Sequence, residues 1–265
     1  MKTSSCRINK TEVKDEVSAL ARGLAVLRAL ASADAPLSNR ELAETTGIPK
    51  ATVSRLASTL VAAGYLRQQE DSERFVLGAT LLDLSNAYLR NFDLRTVVRP
   101  YLAALAEFAG ATVHLAVRDG LDVVLIDSIR PSTQVVVSRL DVGSRMSIPA
   151  SGAGRAYLSA LDETGRKPLL DAIRAATGKD WGVLRTKLDA AMAEYAEQGY
   201  CSSFGEWHPE IHALGFSLSG PRGEVYGLSC GGPAYRLPRD FMIDKVGPRI
   251  RETVRAIARE VGAMS

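Results

Sequence analysis

Apolar residues recur at three- and four-residue spacing through Leu20, Leu24, Leu27 and Leu30, which predicts an amphipathic helix with Arg22 and Arg28 off its stripe and Pro36 beyond its end. Ser38 stands three residues before Glu41, the spacing of a capping box, so a second, short helix is expected there with Leu42 and Ala43 turned inward. Gly47 suits a tight turn. Pro49 suits the first position of a third helix, where its missing N–H would have no intrahelical partner. In that helix Val53, Leu56, Leu60 and Val61 form the apolar stripe and leave Lys50, Thr52, Ser54, Arg55 and Thr59 nearer the outside, until Gly64 closes it. Residues 65–69 and 74–77 then read as short strands around the polar turn Glu70, Asp71, Ser72, Glu73. Helix, turn, helix and small hairpin make a winged helix-turn-helix pattern.

Gly78 opens a further apolar-periodic stretch through Leu81, Leu82, Leu84, Tyr88 and Leu89, bounded by Asn91, which is read as a linker helix. A helix over 94–108 follows, with Asp93 as N-cap and Gly110 at its end. From Ala111 the texture changes to β-branched runs. Strands are predicted over 112–118, 123–128 and 133–139, helices over 152–161, 166–177 and 184–197, strands over 200–203, 211–219 and 225–231, and a closing helix over 239–261. The expected fold class is multidomain α+β: a mobile tail (1–16), a winged helix-turn-helix domain (17–77), a linker helix (78–93) and a second domain of mixed strands and helices (94–265).

Composition changes this picture little: 46% apolar and 24% charged residues are ordinary for a globular chain. The net charge of +3 has more effect, because binding to nucleic acid must then come from a local face. Such a face is present. Between Gly47 and Arg67 the charged residues are Lys50, Arg55 and Arg67, without an acid, and a helix entering the major groove needs short polar side chains and an Arg near its N-terminal half. No apolar run reaches the roughly 20 residues that span a bilayer, and the N-terminus lacks a signal-peptide core, so a cytoplasmic protein without membrane attachment is expected. Cys6, Cys201 and Cys230 are far apart and form no C-x-x-C pair, which argues against a disulfide framework and a zinc site; no cofactor is expected.

Three enzyme-like patterns fail on context. Gly227-Leu228-Ser229-Cys230-Gly231 has the nucleophile-elbow spacing, but Gly232-Pro233 follows it and no His lies beyond His212. Gly152-Ala153-Gly154 begins a dinucleotide fingerprint that Tyr157 breaks. His208 and His212 lie near Glu206 and Glu210, but Pro209 breaks the helical spacing a zinc pair would need. His114, in mid-strand, either packs in a core or reaches into a pocket.

The motifs ALARGLAVL (19–27), GIPKATVSRL (47–56), GYLR (64–67), IPASGAGRAYL (148–158) and GYCSSFGEWHP (199–209) resemble, in order and spacing over nearly the whole chain, those of the IclR-type transcriptional regulators. The resemblance implies a winged-helix DNA-binding domain, a linker helix and a GAF-like effector domain with a curved antiparallel sheet and flanking helices. It also implies homodimers, or dimers of dimers, on double-stranded operator DNA. Its DNA-contact positions carry over to Ser38, Gly47, Thr52 and Arg55; helix geometry adds Lys50, and Ser54 shares the outer face. Its small-acid positions fall on Val135, Ser138, Met146, Gly152, Ala153, Ser203, Ile211, Ala213, Ser229 and Gly231.

The loop Ser151 to Gly154 opening a helix has its own warrant, since backbone N–H groups at a helix N-terminus attract a carboxylate, although the same glycines could simply permit close packing of helix on sheet. The chain departs from relatives that bind short keto acids: Ser203 and Ala213 stand where those have Asp and Cys, and Gly231 replaces a Ser. A thinner polar end and a larger volume are therefore expected, and with them an organic acid larger than a two- or three-carbon keto acid, its carboxylate on the N–H groups of 152–154. The resulting expectation is a ligand-responsive transcription regulator without enzymatic activity. The alternative is a small-molecule-binding module or hydrolase whose N-terminal helices serve assembly only.

Overall fold

A computed structural model describes residues 17–132 and 140–263, which divide into two compact units that part between Asn91 and Phe92. The expected tail (1–16) and the predicted strand over 133–139, with Val135 and Ser138, lie outside the described residues.

The first unit contains α1 (Ser18–Ala31), α2 (Asn39–Thr46), α3 (Lys50–Ala62), a hairpin of β1 (Leu66–Gln68) and β2 (Phe75–Leu77), and α4 (Thr80–Leu89). The capping box at Ser38 is present. Its Oγ accepts from the Glu41 N–H, and the Glu41 carboxylate accepts from the Ser38 N–H at 2.8 Å. Pro49 sits one position earlier than expected, at the N-cap of α3, where extended backbone suits the residue. Val26, Leu30, Leu42, Ile48, Val53, Ala57, Leu66 and Phe75 form the core. Leu20 and Leu24, expected inside, are 63% and 42% exposed, and α1 buries Val26 and Leu30 in its C-terminal half instead. None of α4 is buried.

Gly78 makes the hairpin compact. Its N–H donates to Tyr65 O at 2.8 Å, and a Cβ there would lie 2.0 Å from Gly64 O. Arg74, at the end of the turn, reaches back to Glu41 at 2.8 Å and to Pro36 O, tying the hairpin to the start of α2. The hydrogen bonds from Ser38, with Arg74 adding to them, hold the Glu41 carboxyl at about 2, well below its usual value. A depressed carboxylate contributes stability above its unfolded value of roughly 4.3 and loses it as pH falls toward 2. Acid unfolding of wild type is therefore expected to show a component over that window which Glu41→Gln lacks, read by circular dichroism against pH.

The second unit opens with α5 (Asp93–Ala109), in which Asp93 is the first helical residue and Phe92 occupies the N-cap position expected for Asp93. It continues through β3 (Thr112–Asp119), β4 (Asp122–Ile129), β5 (Arg145–Ser147), α6 (Gly152–Ala160), α7 (Glu163–Thr177), α8 (Trp181–Gln198), β6 (Cys201–Phe204), β7 (Ile211–Ser219) and β8 (Val225–Pro233). The predicted closing helix is interrupted: α9 (Arg239–Phe241) runs through a π-helical stretch, Met242–Val246, into α10 (Gly247–Ala263). The six strands form one antiparallel sheet in the order β5-β4-β3-β8-β7-β6. One face carries α6, α7 and α8 over a core that includes Ala116, Leu125, Ile148, Leu158, Leu169 and Leu188. The opposite face meets α5, where buried Asp127 accepts from Arg99 at 2.6 Å and pairs with Arg95 at 3.3 Å.

Candidate nucleic-acid interface and effector site

Gly47 closes α2 in the left-handed conformation (φ 69°), and its N–H is spent on Ala43 O, so it supplies the turn and not a donor. Beyond the turn, Lys50, Ser54 and Arg55 are exposed on α3 and Thr52 is half-buried beside them. Among the described residues no ion pair or hydrogen bond engages the side chain of Lys50 or Arg55. Other polar side chains nearby are occupied. Ser38 donates to Glu41 at 2.7 Å, while Ser58 and Thr59 turn back to the carbonyls of Ser54 and Arg55. The free cations therefore stand on a helix whose opposite side, Val53 and Ala57, is locked into the core.

In the second unit, strand register collects the expected effector residues into rows. Ser203, Ala213, Gly231 and Thr112 lie opposite one another across β6, β7, β8 and β3. The next row on the same face is Cys201, Gly215, Ser229, His114 and Ser128. Helix α6 rests directly on this face: a Cβ on Gly215 would meet Gly152 O at 1.9 Å, and one on Gly227 would meet Ala153 O at 2.4 Å. The first turn of α6 thus lies over Gly215 and Gly227, one and two rows along the sheet from the row of Ser203, Ala213 and Gly231. The glycines serve packing and the helix end serves as a donor site at once. One donor is already taken, since Ser151 Oγ accepts from Gly154 N–H at 3.1 Å, which leaves those of Gly152 and Ala153, too early in the helix for an intrahelical acceptor.

Gly231 does not enlarge the site as expected from its missing side chain. A Cβ there would lie 2.6 Å from the Ala213 Cβ and 2.6 Å from His212 O, so close strand contact already fills that space. Met146 is buried in the α6-side core, Ile211 is half-buried at the rim, and the Ser203 hydroxyl donates to Ala150 O at 3.0 Å. Arg155, which sequence reasoning overlooked, is 3% exposed, donates to Pro149 O and Ser202 O, and lies 3.3 Å from Glu206. An Arg inside an apolar helix pattern near an acid-bearing loop was its only sequence signal. Cys201 and Cys230 are buried, and burial pushes both thiols upward, Cys230 to about 12, so neither is a ready nucleophile. Ser229 sits in mid-strand on β8 and not at a strand-to-helix elbow. No cluster of metal-binding side chains occurs among the described residues. No helix among them is long and apolar enough to cross a membrane.

Two family models match: the IclR helix-turn-helix domain over residues 19–70 and the bacterial transcriptional regulator IclR C-terminal domain over 86–259. The HTH-type transcriptional regulator TsaQ1/TsaQ2 of Comamonas testosteroni is 32% identical over 250 residues, 93% of this chain and 89% of that one. A solved IclR family transcriptional regulator from Brucella abortus is 38% identical with a TM-score of 0.77, covering 96% of both chains. The fold also matches an IclR homolog from Microbacterium hydrocarbonoxydans, solved in complex with 4-hydroxybenzoate, at 20% identity and a TM-score of 0.72, covering 93% of this chain and 100% of that one.

Proposed function

The chain belongs to the IclR family of bacterial transcriptional regulators, and from that premise we propose that it reads an operator with α3 and binds a small organic acid on the α6 side of its sheet. Members of this family are DNA-binding regulators and not enzymes. The observation that carries the DNA reading is the free polar face of α3, where Lys50, Thr52, Ser54 and Arg55 share one helix whose other side is fixed in the core. Arg55 is assigned to base edges and Lys50 to phosphate, with Ser38 and Gly47 positioning the turn that presents them.

The effector's carboxylate is assigned to the N–H groups of Gly152 and Ala153, and its body to the floor of Ser203, Ala213, Ser229 and Gly231 with Met146 and Ile211 beside it. The small aromatic acid held by the Microbacterium homolog supports that ligand class. Effector binding then shifts the balance between states that differ in operator affinity. The working unit is a homodimer, or a dimer of dimers, in the cytoplasm. Support comes from Val17 at the N-cap of α1 with Leu20 and Leu24 on that helix, and from Leu82 and Leu84 on α4, all exposed at 40% or more. A pair of winged helices would read half-sites roughly 34 Å apart or a multiple of that.

The test begins with duplexes selected from a random pool by the purified protein. On the selected operator, Arg55→Ala is expected to lose about 1 to 3 kcal/mol of specific binding and little non-specific binding. Lys50→Ala is expected to weaken both and to reduce the salt slope by about one. Salt-dependent affinities equal to wild type for both variants would overturn the assignment of α3.

A further inference from the structure

Among the described residues, two polar side-chain atoms on the α6-facing side of the sheet are buried without a partner, Nδ1 of His114 and Oγ of Ser128. The two residues stand opposite one another across β3 and β4, and Ser229 faces His114 from β8. His114 is 6% exposed. Burial is the main reason its imidazole falls to about 4, with Arg130 pushing the same way and Asp141 opposing, so the ring is neutral at ordinary pH. A neutral imidazole and a hydroxyl together offer both donor and acceptor capacity and no charge. Buried polar atoms are nearly always paired, so two unpaired ones side by side point to a group that the described residues do not supply.

We propose that His114 and Ser128 form the second polar end of the effector site and select an organic acid carrying an uncharged hydroxyl or carbonyl group remote from its carboxylate. This rests on the effector reading above and adds its specificity. His114 lies in the row of Gly215, the residue beneath Gly152, with β8 between them. Two strand spacings, roughly 10 Å, therefore separate the carboxylate end from His114, with Ser128 one strand beyond it. A two- or three-carbon acid cannot span them; an acid with six or more atoms between its ends can. A second carboxylate would lie against a neutral pair, the cation Arg130 being engaged by Asp141 and Leu140 O, whereas a hydroxyl can donate to one member and accept from the other.

The test uses calorimetric titration of the full chain with isosteric pairs: 6-hydroxyhexanoate against heptanoate, and 4-(hydroxymethyl)benzoate against 4-ethylbenzoate. In at least one pair the hydroxylated acid is expected to bind about tenfold or more tightly, because a site built to pair a hydroxyl rejects its apolar isostere. Ser128→Ala, which removes a hydroxyl without a protein partner and should leave the fold intact, is expected to shrink that preference severalfold. The double variant with His114→Phe is expected to abolish it. The imidazole nitrogen resonances of His114 in the wild-type protein give a second readout that needs no substitution, moving with the hydroxylated acid and not with its isostere. Equal binding within both pairs, or a preference that survives in Ser128→Ala with His114 resonances unmoved, overturns this proposal alone. If no acid of either pair binds wild type, the effector site itself is misplaced and the proposal falls with it.

Discussion

Gly215→Ala is expected to destabilise the C-terminal unit by about 3 kcal/mol or more, at or beyond the upper end of overpacking costs. The new Cβ would lie 1.9 Å from Gly152 O and 2.3 Å from Gly152 C, and both are backbone atoms of the helix N-terminus, so no side chain can rotate away. Either α6 lifts off the sheet or β7 bends. In both cases the N–H groups of Gly152 and Ala153 move, and effector binding should be lost with the stability. Gly182→Ala is the control. It sits in the first turn of α8 with nothing within 4 Å of the added Cβ, and it should be neutral or gain up to about 1 kcal/mol from helix propensity. Urea melts of the two variants beside wild type separate the cases.

The second large effect is expected at Arg155. Its guanidinium is buried beneath α6 and satisfies two carbonyls, Pro149 O at 2.9 Å and Ser202 O at 3.2 Å, with Glu206 at 3.3 Å. Arg155→Met keeps much of the apolar stem and removes the donors, leaving those carbonyls and the Glu206 charge without their partner. A loss of about 3 kcal/mol is expected, as when one member of a buried pair is removed. Glu206→Gln should cost about 1 kcal/mol or less, because Glu206 is 31% exposed and water screens what the pair contributes. The asymmetry is the diagnostic outcome in chemical denaturation: equal costs would mean that the ion pair, and not the carbonyl bonds, holds Arg155.

The helix-turn-helix was legible because its signals are local. The capping box at Ser38, the left-handed Gly47 and the stripe Val53, Leu56, Leu60 each act within a turn or two of chain, and each reappears in the fold. The long strands β7 and β8 were legible for the same reason. What escaped depends on partners distant in sequence. β5 is three residues long, too short for alternation to register, and exists because Met146 pairs with Val123. The exposure of Leu20 and Leu24 could not be read from periodicity, which marks an apolar stripe without saying what covers it. The π-helical stretch Met242–Val246 lies next to Gly247, where a Cβ would strike the Tyr200 ring at 2.5 Å, a contact between residues far apart in sequence. In the effector region, a Gly at 231 where keto-acid-binding relatives have a Ser suggested open space, whereas Ala213 and the His212 carbonyl already stand where its Cβ would go. His114 could be placed in mid-strand from sequence, but its juxtaposition with Ser128 follows only from the pairing of β3 with β4.

Linkage between the two units is the central claim, and fluorescence anisotropy on the selected operator tests it most directly. The full chain is titrated onto the labelled duplex at fixed salt, without acid and then with a saturating carboxylic acid that calorimetry has shown to bind. The expected result is a specific complex whose midpoint moves by about 5- to 150-fold when the acid is present, the usual range of coupling between two sites. An unchanged midpoint with bound acid, or binding no tighter to the selected operator than to a scrambled duplex, would contradict it.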